Sequence, residues 1–278
     1  MSVTVRFTHG TVTYGRYGEA VNDTQVGCTL VFEVTEPAEI VLQIAVAAPA
    51  AEQMLAGTAT GLVELPGRQH YLRADKGRLT VGYEASVHPS GEGTPPVTEL
   101  ERIVAMRPSR YCPSDRLAGF ASREFGRLGD PTAAVRAIAD WVFEYLTYQP
   151  GSSGPTTDAI DTLLTGAGVC RDYAHLVATL CRAIDIPARV AAVYAPGLFP
   201  MDFHLVVETA LDGRWRVWDA TRLAPRPTLI RIATGRDAAD TALATTLSGA
   251  LTMPEIQIIA VSGADLPIDD HTTLLSLA

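Results

Sequence analysis

The chain has 278 residues, of which 47% are hydrophobic and 19% charged, so it carries enough apolar material for one large domain or two smaller ones. Its formal net charge of −9 argues against nucleic acid or an anionic membrane surface as a main partner, because both bind basic patches. Neither a secretory signal nor an apolar stretch of about 18 residues is found, so we expect a cytoplasmic protein of bacterial type that does not span a membrane.

The first part of the chain, residues 1–95, is predicted to form an antiparallel β-sandwich domain. Apolar and polar residues alternate with a period of two over residues 30–34 and 79–87, which is typical of strands buried on one face. A segment rich in glycine and proline, residues 88–96, follows and indicates a long loop or a linker. We therefore place a domain boundary there, with a second domain over residues 96–278.

The second part of the chain contains helical patterns followed by strand patterns. Asp130 before Pro131 is typical of a helix start, because aspartate caps free N–H groups and proline suits the first helical position. A short helix is predicted near residues 157–165. An amphipathic helix begins near Cys170, with apolar residues at Tyr173, Leu176, Val177, Leu180, Cys181 and Ile184. Strands are then predicted over residues 188–194, 202–209, 214–220 and 256–261.

Cys170 combines a reactive side chain with a favourable place at the start of this helix. The N–H groups of a first helical turn are unsatisfied and the helix dipole is positive there, so both stabilise a thiolate, the nucleophilic form of cysteine. The same N–H groups could hold an oxyanion. A buried core cysteine is the alternative, and it suits the mid-helix Cys181 better. The position of Cys170 alone leaves both interpretations open.

The other three cysteines, Cys28, Cys112 and Cys181, are expected to be reduced and mostly buried. The four cysteines show no CxxC spacing of a zinc or redox site. A chain of this length also needs no disulfides to be stable.

A histidine and an aspartate are brought together by a predicted hairpin. If Asp212-Gly213 forms a two-residue loop, counting back along both strands places Val206 opposite Asp219. His204 and Asp219 are then diagonal neighbours on one face, roughly 7–8 Å apart at Cα, which is within reach of a side-chain hydrogen bond. A buried aspartate is costly without such a partner. A capping role at the strand end is the alternative for Asp219, and a three-residue loop with a bulge would shift the parity.

The positions of two further polar residues in the Cys170 helix indicate structural roles. His175 lies five positions after Cys170, on a different face, and is expected to be exposed or to fill the core. Asp172 lies in the first turn, where a carboxylate suits the helix dipole. The sequence contains neither a phosphate-binding glycine loop with lysine nor an HExxH motif.

Four segments together resemble transglutaminase-like proteins of bacteria, which are often described as cysteine proteases. They are GVCRDYAHL at residues 168–176, IPAR at 186–189, DFH at 202–204 and WDATR at 218–222. The resemblance covers roughly residues 110–260, and the preceding β domain also fits that group. It implies an α+β, papain-like core in which the helix that bears Cys170 packs on an antiparallel sheet, with Cys170, His204 and Asp219 as the catalytic triad.

The resemblance also implies a chemistry. A peptide or protein amide would be the substrate and a thioester the intermediate, with no cofactor. We also expect no metal, because the calcium-binding loops of animal transglutaminases are not recognisable. Those enzymes use a tryptophan side chain to help hold the oxyanion. Its equivalent is not recognisable here, and Tyr148 and Gln149 are candidate donors.

The fate of the thioester divides the functional hypotheses. We favour hydrolysis, as a protease, amidase or deamidase, because amine transfer needs a cleft that excludes water and this chain has only one small β domain beside its core. Protein-glutamine transglutaminase is one alternative, and a non-catalytic binding or scaffold protein that has kept the fold is another. The sequence predicts neither the natural substrate nor an oligomeric state.

Overall fold

The N-terminal part of the chain supplies most of a large antiparallel sheet. In this computed structural model the described residues are 6–7, 10–11, 23–47, 50–88 and 95–277. The strands from this part are β1 (Arg6–Phe7) and β2 (Gly10–Thr11), which form a separate pair, and β3 (Thr24–Leu42), β4 (Ala51–Leu55), β5 (Thr60–Leu65), β6 (Gln69–Ala74) and β7 (Gly77–Val87). The predicted alternation holds in β7, where Leu79, Val81 and Tyr83 are buried and form part of the core.

The middle of the chain is helical. The α-helices of the described residues are α1 (Glu99–Ala105), α2 (Ser114–Phe125), α3 (Pro131–Tyr145), α4 (Ala159–Thr165) and α5 (Cys170–Ala183). The side chain of Asp130 caps α3 by accepting a hydrogen bond from the Ala133 N–H at 3.0 Å. Gly166 ends α4 in the left-handed conformation, with φ of 68°. Two short strands, β8 (Thr147–Tyr148) and β9 (Ala167–Gly168), flank α4 and pair in parallel.

A second antiparallel sheet follows α5. Its strands are β10 (Ala188–Tyr194), β11 (Phe203–Leu211), β12 (Arg214–Trp218) and β13 (Ile230–Gly235), in the spatial order β12-β11-β10-β13. Asp212 and Gly213 both have positive φ, 51° and 71°, as a two-residue hairpin turn of type I′ requires. The pairing of Leu211 with Arg214 and of Val207 with Trp218 confirms the predicted register.

The last strand, β14 (Ala244–Val261), returns to the first sheet. It pairs antiparallel with β3 along most of the length of both strands. β3 also pairs with β7 along residues 24–34 and with β6 along residues 38–42, so it joins these strands into one sheet. This sheet therefore contains strands from both sides of the boundary predicted at residues 95 and 96, which stays a prediction. The loop predicted over residues 88–96 lies largely outside the described residues.

Helix α5 lies at the centre of the second half of the molecule. It contacts β10 and β11 on one side and α2, α3 and α4 on the others. Its apolar side chains, such as Leu176 and Leu180, belong to one core cluster with Val190 and Val207 of the sheet. Every residue from Asp172 to Arg182 is buried, so packing on all sides holds the helix in place and fixes the position of its first residue, Cys170. The predicted α+β fold is confirmed.

None of the described helices is both long enough and apolar enough to cross a membrane.

Candidate active site

Cys170 is the first residue of α5 and differs from the other cysteines in its exposure. It is half-buried, whereas Cys28, Cys112 and Cys181 are buried, and all four are free thiols. Burial raises the pKa of Cys28 and Cys181 to about 12 and that of Cys112 to about 11, so these three are held as neutral thiols. Val169, the N-cap residue, provides no side-chain cap for the first turn of α5.

The start of α5 is fixed by the buried carboxylate of Asp172. This carboxylate accepts hydrogen bonds from the Val169 N–H at 2.9 Å and the Ser153 hydroxyl at 2.5 Å, and it pairs with Arg171 at 3.1 Å. Gly168 makes this arrangement possible, because a Cβ at that position would lie 2.6 Å from the Cβ of Asp172. Asp172 thus has the structural role that its position in the first turn predicts.

His204 and Asp219 meet as the hairpin register predicts. His204 is the second residue of β11, and Asp219 directly follows β12. The ring Nε2 of His204 lies 2.9 Å from Oδ2 of Asp219, and both side chains are almost fully buried. The Cys170 thiol is a further polar contact of the ring. Because Asp219 occupies Nε2, the nitrogen left for the thiol is Nδ1.

Thr221 holds the second oxygen of the aspartate. Its N–H and its hydroxyl donate hydrogen bonds to Oδ1 of Asp219 at 2.9 and 2.7 Å, which leaves Oδ2 for His204. No role was predicted for this residue from the sequence. A threonine two positions after an aspartate is nevertheless a recognisable signal, since such pairs commonly form local side-chain to backbone turns.

Electrostatics favour a charged histidine at this site. Burial acts to lower the pKa of His204, but the charge and hydrogen bond of Asp219 outweigh it, and the Cys170 thiol adds to their effect, raising that pKa to about 10. Burial likewise acts to raise the pKa of Asp219, yet His204 and Thr221 hold it below its ordinary value. An imidazolium beside a carboxylate on one side and a thiol on the other is therefore stable at neutral pH.

The two residues proposed as oxyanion donors lie next to Cys170 in the fold. Tyr148 is opposite Gly168 in the parallel β8–β9 pair, and the Gln149 N–H donates to the Gly168 carbonyl at 2.9 Å. The Tyr148 hydroxyl contacts the main chain of Cys170. Burial, together with the nearby Cys170, raises the pKa of Tyr148 to about 12, so its phenol stays protonated.

His175 lies in the protein core. Its ring is fully buried, stacks on Tyr111 with ring centroids 5.1 Å apart, and accepts a hydrogen bond from the Ala238 N–H at 3.1 Å through Nε2. Burial lowers the pKa of His175 to about 4, so the ring is neutral. Of the two roles considered from the sequence, an exposed residue and a core residue, the structure shows the second.

No group of three or more His, Cys, Asp or Glu side chains within the described ranges is arranged to hold a metal ion.

A cysteine at a helix start, a histidine beside it and an aspartate behind the histidine form the arrangement that cysteine-dependent acyl-transfer enzymes use. Comparisons with known proteins agree with this class. A sequence profile of the transglutaminase-like superfamily matches residues 120–220, the segment that contains Cys170, His204 and Asp219. The crystal structure of a candidate cysteine protease from Cytophaga hutchinsonii is 30% identical, with a TM-score of 0.83 over 91% of this chain and 96% of that chain.

A relative among the curated proteins matches a shorter stretch. The uncharacterized protein ML0607 of Mycobacterium leprae is 30% identical over 113 residues, which are 41% of this chain and 39% of the length of that relative. The protein belongs to the transglutaminase-like superfamily, a family of cysteine-based enzymes.

Proposed function

We propose that the protein is a cysteine-dependent acyl-transfer enzyme that acts on amide bonds of peptides or proteins, with Cys170, His204 and Asp219 as its catalytic residues. The observation that supports this most strongly is the placement of His204 between a half-buried thiol and a buried carboxylate. Asp219 at 2.9 Å favours the charged imidazole, and a charged imidazole favours a thiolate at Cys170.

The proposed reaction begins with attack of the Cys170 thiolate on the amide carbonyl carbon. A carbon–sulfur bond forms, and the carbonyl electron pair moves to oxygen, where the N–H groups of the first turn of α5 hold it. His204 then gives its proton to the leaving nitrogen as the carbon–nitrogen bond breaks. A thioester on Cys170 and a neutral His204 remain. A water or an amine, deprotonated by His204, attacks the thioester carbonyl carbon. The carbon–sulfur bond then breaks, the acid or the new amide leaves, and the Cys170 thiolate and the protonated His204 are restored.

We favour water as the second nucleophile. Cys170 is half-buried and the neighbouring Tyr148 is 41% exposed, so water can reach the thioester. Water at about 55 M outcompetes an amine unless the cleft excludes it. The likeness to a candidate cysteine protease, with 30% identity over nearly its whole length, supports the same preference. Hydrolysis of a peptide bond, or deamidation of a glutamine side chain, is the reaction that we propose.

A single incubation separates these outcomes. The protein is mixed with an unfolded glutamine-rich protein and a fluorescent primary amine, and three products are followed: new amino termini, ammonia and covalently attached amine. The Cys170→Ala variant is the matched control. New amino termini or ammonia without attached amine, dependent on Cys170, is the expected result. Attached amine in excess would identify a transglutaminase. Equal background from both proteins, together with no acylation of Cys170 by p-nitrophenyl acetate, would indicate a non-catalytic scaffold.

A further inference from the structure

Strand β12, which leads directly into Asp219, is an edge strand of the second sheet. It has only five residues, and on its inner side it pairs with β11. On its outer side both backbone groups of Val217 are bonded to other parts of the chain. The Val217 N–H donates to the Leu275 carbonyl at 2.9 Å, and the Val217 carbonyl accepts from Nη1 of Arg226 at 3.2 Å. Arg226 and the segment that follows β14, residues 262–277, therefore take the place of a neighbouring strand.

Arg226 is held in place by a buried ion pair with Asp269 of that segment. Nη2 and Nε of the guanidinium donate to the two carboxylate oxygens, both at 2.8 Å, and the Arg226 N–H donates to Oδ2 at 3.0 Å. Both side chains are almost fully buried. A bidentate pair of this kind fixes the plane of the guanidinium, and it thereby directs the remaining donor, Nη1, at Val217.

The bond between Arg226 and Val217 closes a loop that contains Asp219 and Thr221. The chain leaves β12 just before Asp219, and at Arg226 it returns to the strand that it left. Thr221 fixes one oxygen of Asp219, at 2.7 and 2.9 Å, but Thr221 belongs to the same loop and moves with it. Arg226 and Asp219 also line one small cavity. The position of the loop relative to β11, and thus to His204, therefore depends on the bond that closes it.

We propose that Arg226, oriented by Asp269, is a positioning residue that keeps Asp219 within hydrogen-bond distance of His204. The inference rests on the proposed function, because it concerns the ion pair that keeps His204 charged. Arg226 acts through the main chain of β12. Loss of the Arg226–Asp269 pair should loosen the loop and lengthen the 2.9 Å contact between the aspartate and the histidine. The imidazolium is then less stable, and so is the thiolate of Cys170 beside it.

The test removes this pair without leaving a buried charge. Arg226→Met and Asp269→Asn are combined in one protein, in which the asparagine oxygen can still accept from the His271 N–H. The rate of iodoacetamide alkylation at Cys170 is followed by intact mass between pH 6 and 10, and the thermal unfolding of each protein is recorded. In the wild type the rate should change little from pH 7 to 9, because the pKa of His204 is raised to about 10. In the double variant we expect a rate about 10-fold lower at pH 7 that keeps rising to pH 9.

Leu277→Ala is the matched control for lost stability. Leu277 is buried in the core cluster between the same segment and the second sheet, so its truncation should lower the unfolding temperature and leave the contacts of Arg226 in place. Its alkylation should keep the wild-type pH profile. Arg226→Lys keeps a charge beside Asp269 but lacks the planar fork, so it should fold and give a profile between those of the wild type and the double variant.

The outcomes of this comparison are distinct. A wild-type profile in the double variant would overturn the inference, and so would an equally altered profile in Leu277→Ala, since any loss of stability would then suffice. If the double variant does not fold, Arg226→Lys decides in its place, and a wild-type profile there has the same meaning. A wild-type protein whose own alkylation rate rises steeply from pH 7 to 9 would contradict the charged His204 of the proposed function, and the inference with it.

Discussion

Replacing Asp219 by asparagine is expected to move the ring proton of His204 to the wrong nitrogen. Thr221 donates both its N–H and its hydroxyl to Oδ1, at 2.9 and 2.7 Å, so an asparagine at 219 must present its carbonyl oxygen to Thr221. Its NH₂ group then takes the place of Oδ2 and donates to Nε2 of His204. The neutral ring must carry its proton on Nδ1, the nitrogen that faces Cys170. His204 can then no longer accept a proton from the thiol.

The size of the expected effect of Asp219→Asn on the alkylation rate of Cys170 follows from the pKa of His204. Its value of about 10 lies above the ordinary 6.5 even though burial acts to lower it. At 1.36 kcal/mol for each pKa unit, this difference favours the imidazolium by roughly 5 kcal/mol, and Asp219 is its main source. Without the ion pair, Cys170 loses the positive charge that stabilises its thiolate. A 30-fold change in rate corresponds to only about 2 kcal/mol, less than half of this difference, so we expect alkylation at pH 7 to slow about 30-fold or more.

The assay is the rate of iodoacetamide alkylation at Cys170, followed by intact mass between pH 6 and 10. Wild-type alkylation should change little from pH 7 to 9, because the imidazolium that stabilises the thiolate is lost only as the pH rises through about 10. The rate for Asp219→Asn should keep rising over that range. Asp202→Asn, which removes an exposed carboxylate two residues before His204, is the matched control and should stay within about 3-fold. An Asp219→Asn protein with the wild-type rate and pH profile would refute the reasoning.

Three further predictions follow from the same structure. Iodoacetamide should label Cys170 first and leave the buried Cys28, Cys112 and Cys181 unlabelled in the folded protein, as peptide mass spectrometry can show. Gly168→Ala should lower the free energy of unfolding by about 1–3 kcal/mol and slow that labelling, because its Cβ would meet Asp172 at 2.6 Å; Gly154→Ala, with no atom within 4 Å of its Cβ, should be near neutral in urea unfolding. Finally, the folded protein binds the His204 proton more tightly than the unfolded chain, so its unfolding free energy should fall as the pH rises from about 6.5 through about 10. Between about pH 6.5 and 8, below the range in which the buried thiols contribute, this fall should be absent from His204→Gln.

The elements around the candidate site were predictable because their signals are local. The apolar spacing after Cys170 matches α5, and the Asp130-Pro131 pair matches the capped start of α3. The Asp212-Gly213 turn fixed the register of β11 and β12, and that register brought His204 to Asp219. A two-residue turn leaves little freedom in the pairing of its strands, which explains why counting residues sufficed.

The parts that were missed depend on contacts distant in sequence. Helices α1 and α2 were not predicted, and the pairing of β14 with β3 joins residues more than 200 positions apart. No periodicity within β14 indicates which sheet it joins. Within the site, Asp172 was recognised only as a residue that suits the helix dipole. Its buried bonds to Val169 and to Ser153 of the preceding loop appear only in the fold.

The contacts of Tyr148 also lie beyond what sequence spacing can give. Tyr148 and Cys170 are separated by α4, and they meet because β8 and β9 pair in parallel across that helix. The sequence placed Tyr148 ahead of the Cys170 helix and could not orient its side chain.

The most direct test of the central claim is to look for an acyl group on Cys170. The protein is mixed rapidly with p-nitrophenyl acetate, quenched in acid and analysed by intact and peptide mass spectrometry. The proposed mechanism predicts one acetyl group on the peptide that contains Cys170, absent from Cys170→Ala and much slower to form in His204→Ala. A Cys170→Ala protein that still turns over the ester, or an acetyl group on another side chain of the wild type, would contradict it.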